Sequence, residues 1–325
     1  MKYRRRQFLH LAAGAAAWPL ASRAAMAQAY PSQPLRWVVG FPAGGGADIV
    51  SRIMARWLSE RLGQPVVIEN KPGASTNISI QTVVNSPPDG YTLLFIAASA
   101  AVNATLFSNL PFDLTRDIAP VAGLIDFPLV LVAHPSLPAK TTAELIAHAK
   151  ANPGKVTIAS FGTGTTSHVA GELLKNMAGV SMTHVPYRGG APMMADLVGG
   201  QVNLAIDVMT GALPHIRSGN ARAIAMLGSE RYPGLPDVPT LSETIPLYVA
   251  NSWCGVGVPR NTPPAIIERL NREINAGLAD PAVKTQLANV ATTPMVFTPQ
   301  QFGGYVASEI EKWGKVIKSS GIKPE

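Results

Sequence analysis

The chain has 325 residues, of which 47% are apolar and 14% charged, with 27 basic against 20 acidic side chains. A single cysteine, Cys254, excludes an intramolecular disulfide, and the length suffices for two domains of ordinary size, each held by its own core. The net charge of +7 would suit a polyanion partner, but Lys2, Arg4, Arg5, Arg6 and Arg23 all fall in the first 27 positions, so nucleic acid is not implied.

Those first positions read as a targeting segment. A basic start with a twin-arginine pattern leads into the apolar run Leu11 to Leu20 and then Ala25-Met26-Ala27, an Ala-x-Ala cleavage site. The apolar run is too short to span ~30 Å of hydrocarbon. Residues 1–27 are therefore expected to be a cleaved export signal, leaving 298 residues with 22 basic and 20 acidic side chains in the periplasm.

The stretch from Leu35 to Leu62 organises the rest of the chain. Leu35 to Gly40 is apolar and Val-rich without alternation, as expected of a parallel strand buried on both faces. From Ile49 the period becomes helical, with Val50, Ile53, Met54, Trp57, Leu58 and Leu62 on one side. Between them lies Phe41-Pro42-Ala43-Gly44-Gly45-Gly46. Glycines let a ligand approach the backbone, and a helix N-terminus offers unpaired N–H groups, so the turn suits an anion; it equally suits a bare tight connection. Asp48 would repel a phosphate and is expected to cap the helix.

Strand and helix then alternate, which defines an α/β fold. Val66-Val67-Ile68 reads as a strand, Ile78 to Val84 as a short helix, and Tyr91 to Ile96 as a third strand with Ser99 to Asn103 at its carboxyl end, where ligands usually sit. Phe127 to Pro135 reads as one long apolar strand bounded by prolines. A helix comes next, with Thr141 and Glu144 in capping-box spacing. Val156 to Ser160 opens into Phe161-Gly162-Thr163-Gly164-Thr165-Thr166-Ser167-His168 and a helix through Met177, repeating the opening strand, glycine turn and helix. Further strands are expected at 202–207 and 223–227. Asp207, at a strand's carboxyl end, either caps the next turn or contacts a ligand. Ser252 to Pro259 reads as a second crossing strand. The last helix begins with Thr298 as cap and Pro299 in its first turn, and carries an apolar stripe at Phe302, Val306, Ile310, Trp313 and Ile317.

No catalytic constellation is present: there is no Gly-x-Ser-x-Gly elbow, and Cys254 lies in an apolar strand, where a thiol is usually inert. The histidines show no metal-ligand spacing and no phosphate loop appears, so neither metal nor cofactor is expected. His168 either bonds a ligand oxygen or supports its own loop. An exported, two-lobed α/β chain with paired glycine turns and no catalytic groups points to a solute-binding receptor that closes on its ligand.

Several motifs in order carry a resemblance. They are Tyr30-Pro31-x-x-Pro34, Phe41 to Asp48, Glu69-Asn70-Lys71-Pro72-Gly73-Ala74, Pro88-Asp89-Gly90-Tyr91-Thr92-Leu93-Leu94, Val185-Pro186-Tyr187-Arg188-Gly189, Gly199-Gly200-Gln201-Val202, Leu213-Pro214-His215-Ile216, Leu235 to Thr240 and Ser252-Trp253-x-Gly255. With these, the mature chain resembles the substrate-binding proteins of tripartite tricarboxylate transporters, the Bug family. The resemblance implies a type II periplasmic-binding-protein fold: two Rossmann-like lobes, 28–126 plus 250–325 and 127–249, a ligand cleft and two crossing strands. It implies binding of a small carboxylate through backbone amides and bridging water, and since one closing receptor suffices for this, a monomer is expected. By motif the contacts fall at Phe41, Pro42, Ala43, Gly44 and Gly45, and at Ser160, Gly162, Thr163, Gly164 and Thr165 with His168. Tyr187, Arg188, Gly189 and Asp207 form the opposite wall, and Asp48 and Ser99 complete the set. Delivery would be to a membrane permease of one large and one small subunit; a carboxylate sensor for a signalling partner is the alternative. The chain departs from the family pattern at Ser75 and Thr76, where glycines are common, so that loop is expected to bend differently. Ala100 replaces a polar residue near Asn103, which is expected to dry the pocket and favour an acid with an apolar body, such as an aromatic acid or a longer dicarboxylate.

Overall fold

The computed structural model describes residues 30–320 with 322 and 323, so the expected export signal at 1–27 lies outside the described residues. The chain separates into two compact units, Met1–Ser32 and Gln33–Glu325, and every element named below lies in the second. The strands are β1 (Leu35–Val39), β2 (Val66–Asn70), β3 (Thr92–Ala97), β4 (Ile118–Phe127), β5 (Leu129–Ala133), β6 (Thr157–Ser160), β7 (Thr183–Pro186), β8 (Leu204–Val208), β9 (Arg222–Met226), β10 (Ser252–Pro259) and β11 (Thr293–Pro294). The helices are α1 (Gly46–Leu62), α2 (Asn77–Val84), α3 (Ala98–Leu106), α4 (Leu114–Asp117), α5 (Thr142–Ala151), α6 (Thr166–Ala178), α7 (Gly190–Val198), α8 (Met209–Arg217), α9 (Pro264–Ala279), α10 (Pro281–Asn289) and α11 (Pro299–Ser320).

Two sheets result, ordered β11-β4-β10-β3-β1-β2 and β7-β6-β8-β5-β9. In the first, β1 runs parallel to both β2 and β3, with Val38 opposite Glu69 on one side and Leu94 on the other. Both of its faces are covered, and Trp37, Val38 and Val39 are fully buried, which is why the strand is apolar throughout. In the second sheet β6 lies parallel to β7 and β8, so the two strand, glycine turn, helix units occupy corresponding places in the two lobes.

The expected long strand from Phe127 to Pro135 is two strands. Pro128 has no N–H to continue a ladder, and the chain changes sheet there: Phe127 pairs with Ser252 in the first sheet, Leu129 with Val208 in the second. Strand β4 has no clear signature in the sequence, because Pro120 and Gly123 interrupt its run. It is pinned from outside: a Cβ at Gly123 would lie 2.9 Å from the Met295 carbonyl oxygen. The second passage between sheets precedes β10, because Ala250 N–H still donates to Leu227 O of the second lobe while Ser252 already pairs with Phe127 of the first. β10 then lies antiparallel between β3 and β4.

The last helix behaves as its pattern requires. Thr298 Oγ1 accepts the Gln301 N–H at 3.2 Å and Gln301 Oε1 accepts the Thr298 N–H at 2.9 Å, a reciprocal capping box. Phe302, Val306, Trp313 and Ile317 are buried, and Trp253 stands edge-on to Phe302 with centroids 5.9 Å apart. In α5, Thr141 Oγ1 accepts the Glu144 N–H at 3.2 Å, while the Glu144 carboxylate takes the Lys140 amide at 2.7 Å.

Candidate functional site

The first glycine turn leaves β1 at Gly40 and enters α1 through Gly45, which has no side chain with which to cap the helix. Asp48 does not cap this helix, contrary to expectation. Its Oδ2 accepts the Gly44 N–H at 3.0 Å and Arg52 Nε at 2.9 Å, and its Oδ1 accepts Asn70 Nδ2 at 3.0 Å. Asn70 also donates to Phe41 O at 2.9 Å, so the acid and the amide tie the turn to β2 from below. Burial alone would raise the Asp48 carboxyl, but the bonds from Arg52, Gly44 and Asn70 outweigh it and hold the group below its ordinary value. The result is a fixed loop above an uncapped helix start.

The second turn uses its donors internally. Gly162 N–H donates to Ser160 Oγ at 3.2 Å, Gly164 N–H to His168 Nδ1 at 3.2 Å, and Thr165 N–H to Gly162 O at 3.1 Å. Thr165 Oγ1 caps α6 by accepting the His168 N–H. His168, 1% exposed, therefore supports its own loop. Ser160 Oγ lies 2.7 Å from His184 Nε2, and the His168 and His184 rings stack at 4.4 Å with planes 29° apart. Ligand atoms of His168, Glu172 and His184 lie within 4.8 Å of one another, a grouping that spacing along the chain misses because β7 supplies the third member. Rings stacked in this way hold their in-plane nitrogens nearly parallel rather than aimed at one point, so the grouping reads as a packed pair of imidazoles.

The lobes touch around the cleft. Ser75 Oγ donates to Thr163 O, and a Cβ at Gly189, where φ is +130°, would lie 2.6 Å from Pro42 Cδ. Ala74, Ser75 and Thr76 all take positive φ, at 44°, 56° and 75°. The departure of Ser75 and Thr76 from glycine thus leaves a loop with the left-handed backbone that glycine adopts without strain.

Between the lobes lies a narrow cavity of ≈ 50 Å³. Its walls are Phe41, Phe95, Phe127, Phe161 and Trp253, with Pro42, Gly45, Gly46 and Ala47 from the first turn and Gly190, Ala191, Asp207 and Val208 from the second lobe. Phe41 is edge-on to both Phe95 and Phe161, with centroids 6.4 and 6.1 Å apart. Phe41 and Phe161 also border a larger and more polar compartment of ≈ 240 Å³ lined by Thr76, Gly162, Thr163, Thr165, Tyr187 and Arg188. Four helix starts without a side-chain cap border the aromatic cavity: α1 at Gly46, α3 behind Ala97, α7 at Gly190 and α8 behind Val208. Asp207 is 1% exposed; its Oδ1 accepts the Val208 N–H at 2.8 Å and its Oδ2 has no hydrogen-bond partner. Helix α8 carries no side-chain cap, so the capping role left open for Asp207 is not the one realised. Burial pushes its carboxyl up to about 7.

Residues 50–322 match the profile of the tripartite tricarboxylate transporter family receptor. The chain belongs to this family. It is 41% identical over 300 residues to Protein BugT of Bordetella pertussis, covering 91% of this chain and 92% of that one. Among solved structures it is similar to R. palustris Rpa4515 with adipate (35% identity, TM-score 0.89, 91% of this chain and 100% of that one). It is likewise similar to the periplasmic binding protein BugD (32% identity, TM-score 0.87, 91% and 100%). The two-lobed fold expected from the sequence is the fold of these receptors.

Of the positions expected from this receptor family's motifs, Phe41, Pro42, Gly45 and Asp207 line the aromatic cavity, and Gly162, Thr163, Thr165, Tyr187 and Arg188 line the polar compartment. Ala43, Gly44, Asp48, Ser160, Gly164 and His168 line neither, and those with bonds described above serve the loops from behind. Ser99 sits in α3, buried, 3.2 Å from Thr76 Oγ1. Tyr187 donates its hydroxyl to Asp196 Oδ2 at 2.7 Å; burial, reinforced by this bond, pushes its phenol up to about 12. Ala100 does not line this pocket: it is buried in α3 and borders a separate depression with Phe107 and Phe112, while Phe95, Phe127, Phe161 and Trp253 supply the apolar walls here. Phe127 and Phe161 stand at the carboxyl ends of β4 and β6, where position could have singled them out, whereas Phe95 lies within β3 and Trp253 at the amino end of β10, which no local signal marks.

Proposed function

We propose that this receptor captures a small carboxylate in the cleft and hands it to a membrane permease of one large and one small subunit. The observation that carries the reading is the set of uncapped helix starts, α1 and α3 from one lobe and α7 and α8 from the other, bordering one aromatic-walled cavity. Helix N-termini favour an anion through free N–H groups and the dipole, and such sites bind it without a basic side chain. The aromatic walls suit an acid with an apolar body. Lobes 28–126 plus 250–325 and 127–249 would close about the two passages at Pro128 and Asn251, in the periplasm, after removal of residues 1–27. The hydroxyl–imidazole pair of Ser160 and His184, 2.7 Å apart, lines neither compartment, and Ser160 is buried, so the reading is capture rather than turnover.

The test is a thermal-shift screen of residues 28–325 against mono-, di- and tricarboxylates, aromatic acids and amino acids. A ligand at 100 times its Kd should stabilise the fold by ~2.7 kcal/mol, a clear rise in melting temperature. Co-purification of a two-subunit permease with the loaded receptor would support delivery. A folded protein that responds to no acid refutes the reading.

A further inference from the structure

The loop that follows β2 is held in a backbone that its side chains resist. Ala74, Ser75 and Thr76 are three successive residues with a Cβ, all in the left-handed region at φ of 44°, 56° and 75°. Asn103, fully buried in α3, donates Nδ2 to Ser75 O at 2.7 Å and to Asn77 Oδ1 at 3.0 Å, and Thr76 N–H donates to Gly73 O at 3.1 Å. These partners all belong to the first lobe, so the loop keeps its shape whether or not the second lobe touches it. That shape aims one hydroxyl across the cleft: Ser75 Oγ donates to Thr163 O of the second lobe. A glycine at this position would offer the same backbone and no donor.

The second lobe is cut to receive the loop. A Cβ at Gly164, where φ is +75°, would lie 2.6 Å from Asn103 Oδ1, 2.9 Å from Phe107 Cε2 and 3.1 Å from Ser75 Oγ. Only glycine lets this turn settle so closely. The contact also lies far from the pivot. The chain passes between the sheets at Pro128 and near Asn251, where β4 meets β5 and the chain enters β10. Ser75 follows β2, the far edge of the first sheet, and Thr163 follows β6, which adjoins the far edge strand β7 of the second. A hinge motion about the passages separates such points most.

We propose that Ser75 is a positioning residue whose hydroxyl, with Gly164 seated on Asn103 and Phe107, latches the two lobes and holds the resting receptor mostly closed. Both halves of the latch are protein groups, so it favours the closed form with or without a ligand. A captured ligand leaves only through the open form, so the latch lengthens its stay and slows its entry. The latch acts without a ligand, and its failure would leave the carboxylate reading standing.

Small-angle X-ray scattering of the protein, freed of ligand by unfolding in urea and refolding, tests this. Fitted as a mixture of closed and open forms, the wild type should be mostly closed. Ser75→Ala keeps the Cβ and loses only the donor; it should lower the closed-to-open ratio about fivefold, the factor that one neutral hydrogen bond supplies. Gly164→Ala strikes the same contact from the other lobe and should leave the protein mostly open. Circular dichroism establishes that each variant is folded, and a residue that served only the stability of its own lobe would not move the ratio. A wild type that is mostly open overturns the latch, and so does an unchanged ratio in Ser75→Ala. A folded Gly164→Ala as closed as the wild type overturns it too; if that variant does not fold, the ratio in Ser75→Ala decides.

Discussion

Replacing Asp48 by Ala separates a loop tether from a helix cap. A lost N-cap typically costs ~1 kcal/mol. Asp48 is 3% exposed and accepts from the Gly44 amide, Asn70 and Arg52, so more than a cap is at stake. The Arg52 side chain is 55% exposed, so water replaces its partner and that pair contributes at most ~0.5 kcal/mol. Gly44 is exposed and can also turn to water. The Asn70 amide is half-buried and loses its acceptor together with the packing of the removed carboxylate, for which ~1–2 kcal/mol is reasonable. We expect ~2–3 kcal/mol from Asp48→Ala and ~0.5 kcal/mol or less from Arg52→Ala, measured by urea unfolding at pH 7. Because the tether holds the first glycine turn, Asp48→Ala should also weaken carboxylate binding about tenfold in calorimetry. The lowered Asp48 carboxyl contributes stability that is present above its ordinary value and lost as pH falls through its folded value, so the two proteins should converge in acid. Equal losses from Asp48→Ala and Arg52→Ala, or Asp48→Ala with unchanged stability and affinity, would refute the tether.

Burial raises Asp207 from 3.8 to about 7, so its ionisation opposes folding: stability falls as pH climbs from the ordinary carboxylate range to about 7. Without ligand, the wild type should lose on the order of 2–3 kcal/mol relative to Asp207→Asn between pH 5 and pH 8; parallel unfolding curves at the two pH values would contradict this. Gly255→Ala places a Cβ 2.1 Å from Phe302 Cζ and 2.5 Å from the Ala122 carbonyl oxygen, in a strand held on both sides. It should cost ~3 kcal/mol, and a loss below 1 kcal/mol in urea unfolding would show that β10 and α11 can separate cheaply. Cys254 is fully buried, its thiol pushed up by burial and by Asp126 against one backbone bond at Ile125. Mass spectrometry after iodoacetamide should find it unmodified in the native protein and alkylated in 6 M guanidinium, and native labelling within minutes would exclude the buried site.

The repeated unit of strand, glycine turn and helix is legible in the sequence because each part is local. An apolar run, a glycine cluster and a 3.6-residue stripe sit within about 30 consecutive residues, and the period alone names the element. The motifs also place both turns and the two-lobed receptor fold. The bonding inside the turns is not local. Asp48 stands where a cap belongs, because capping is decided by neighbours in sequence, but its partner Asn70 arrives from β2. Ala100 does not reach the cavity between the lobes because α3 buries it on its other side, with Phe107 and Phe112. His184 comes to His168 only through the pairing of β6 with β7.

The alternation of elements and the apolar cores of both lobes are written in the sequence, since these follow from local period and residue chemistry. Which donors remain free and which walls meet depends on the folded chain. Gly162 and Gly164 carry the more conspicuous motif, yet their amides are engaged by Ser160 and His168, while the uncapped starts of α1 and α7 open onto the cavity. Five aromatic rings from two lobes enclose a buried acid there. Hydrogen-bond satisfaction and enclosure depend on groups brought together from distant parts of the chain, and no periodicity along the chain records them.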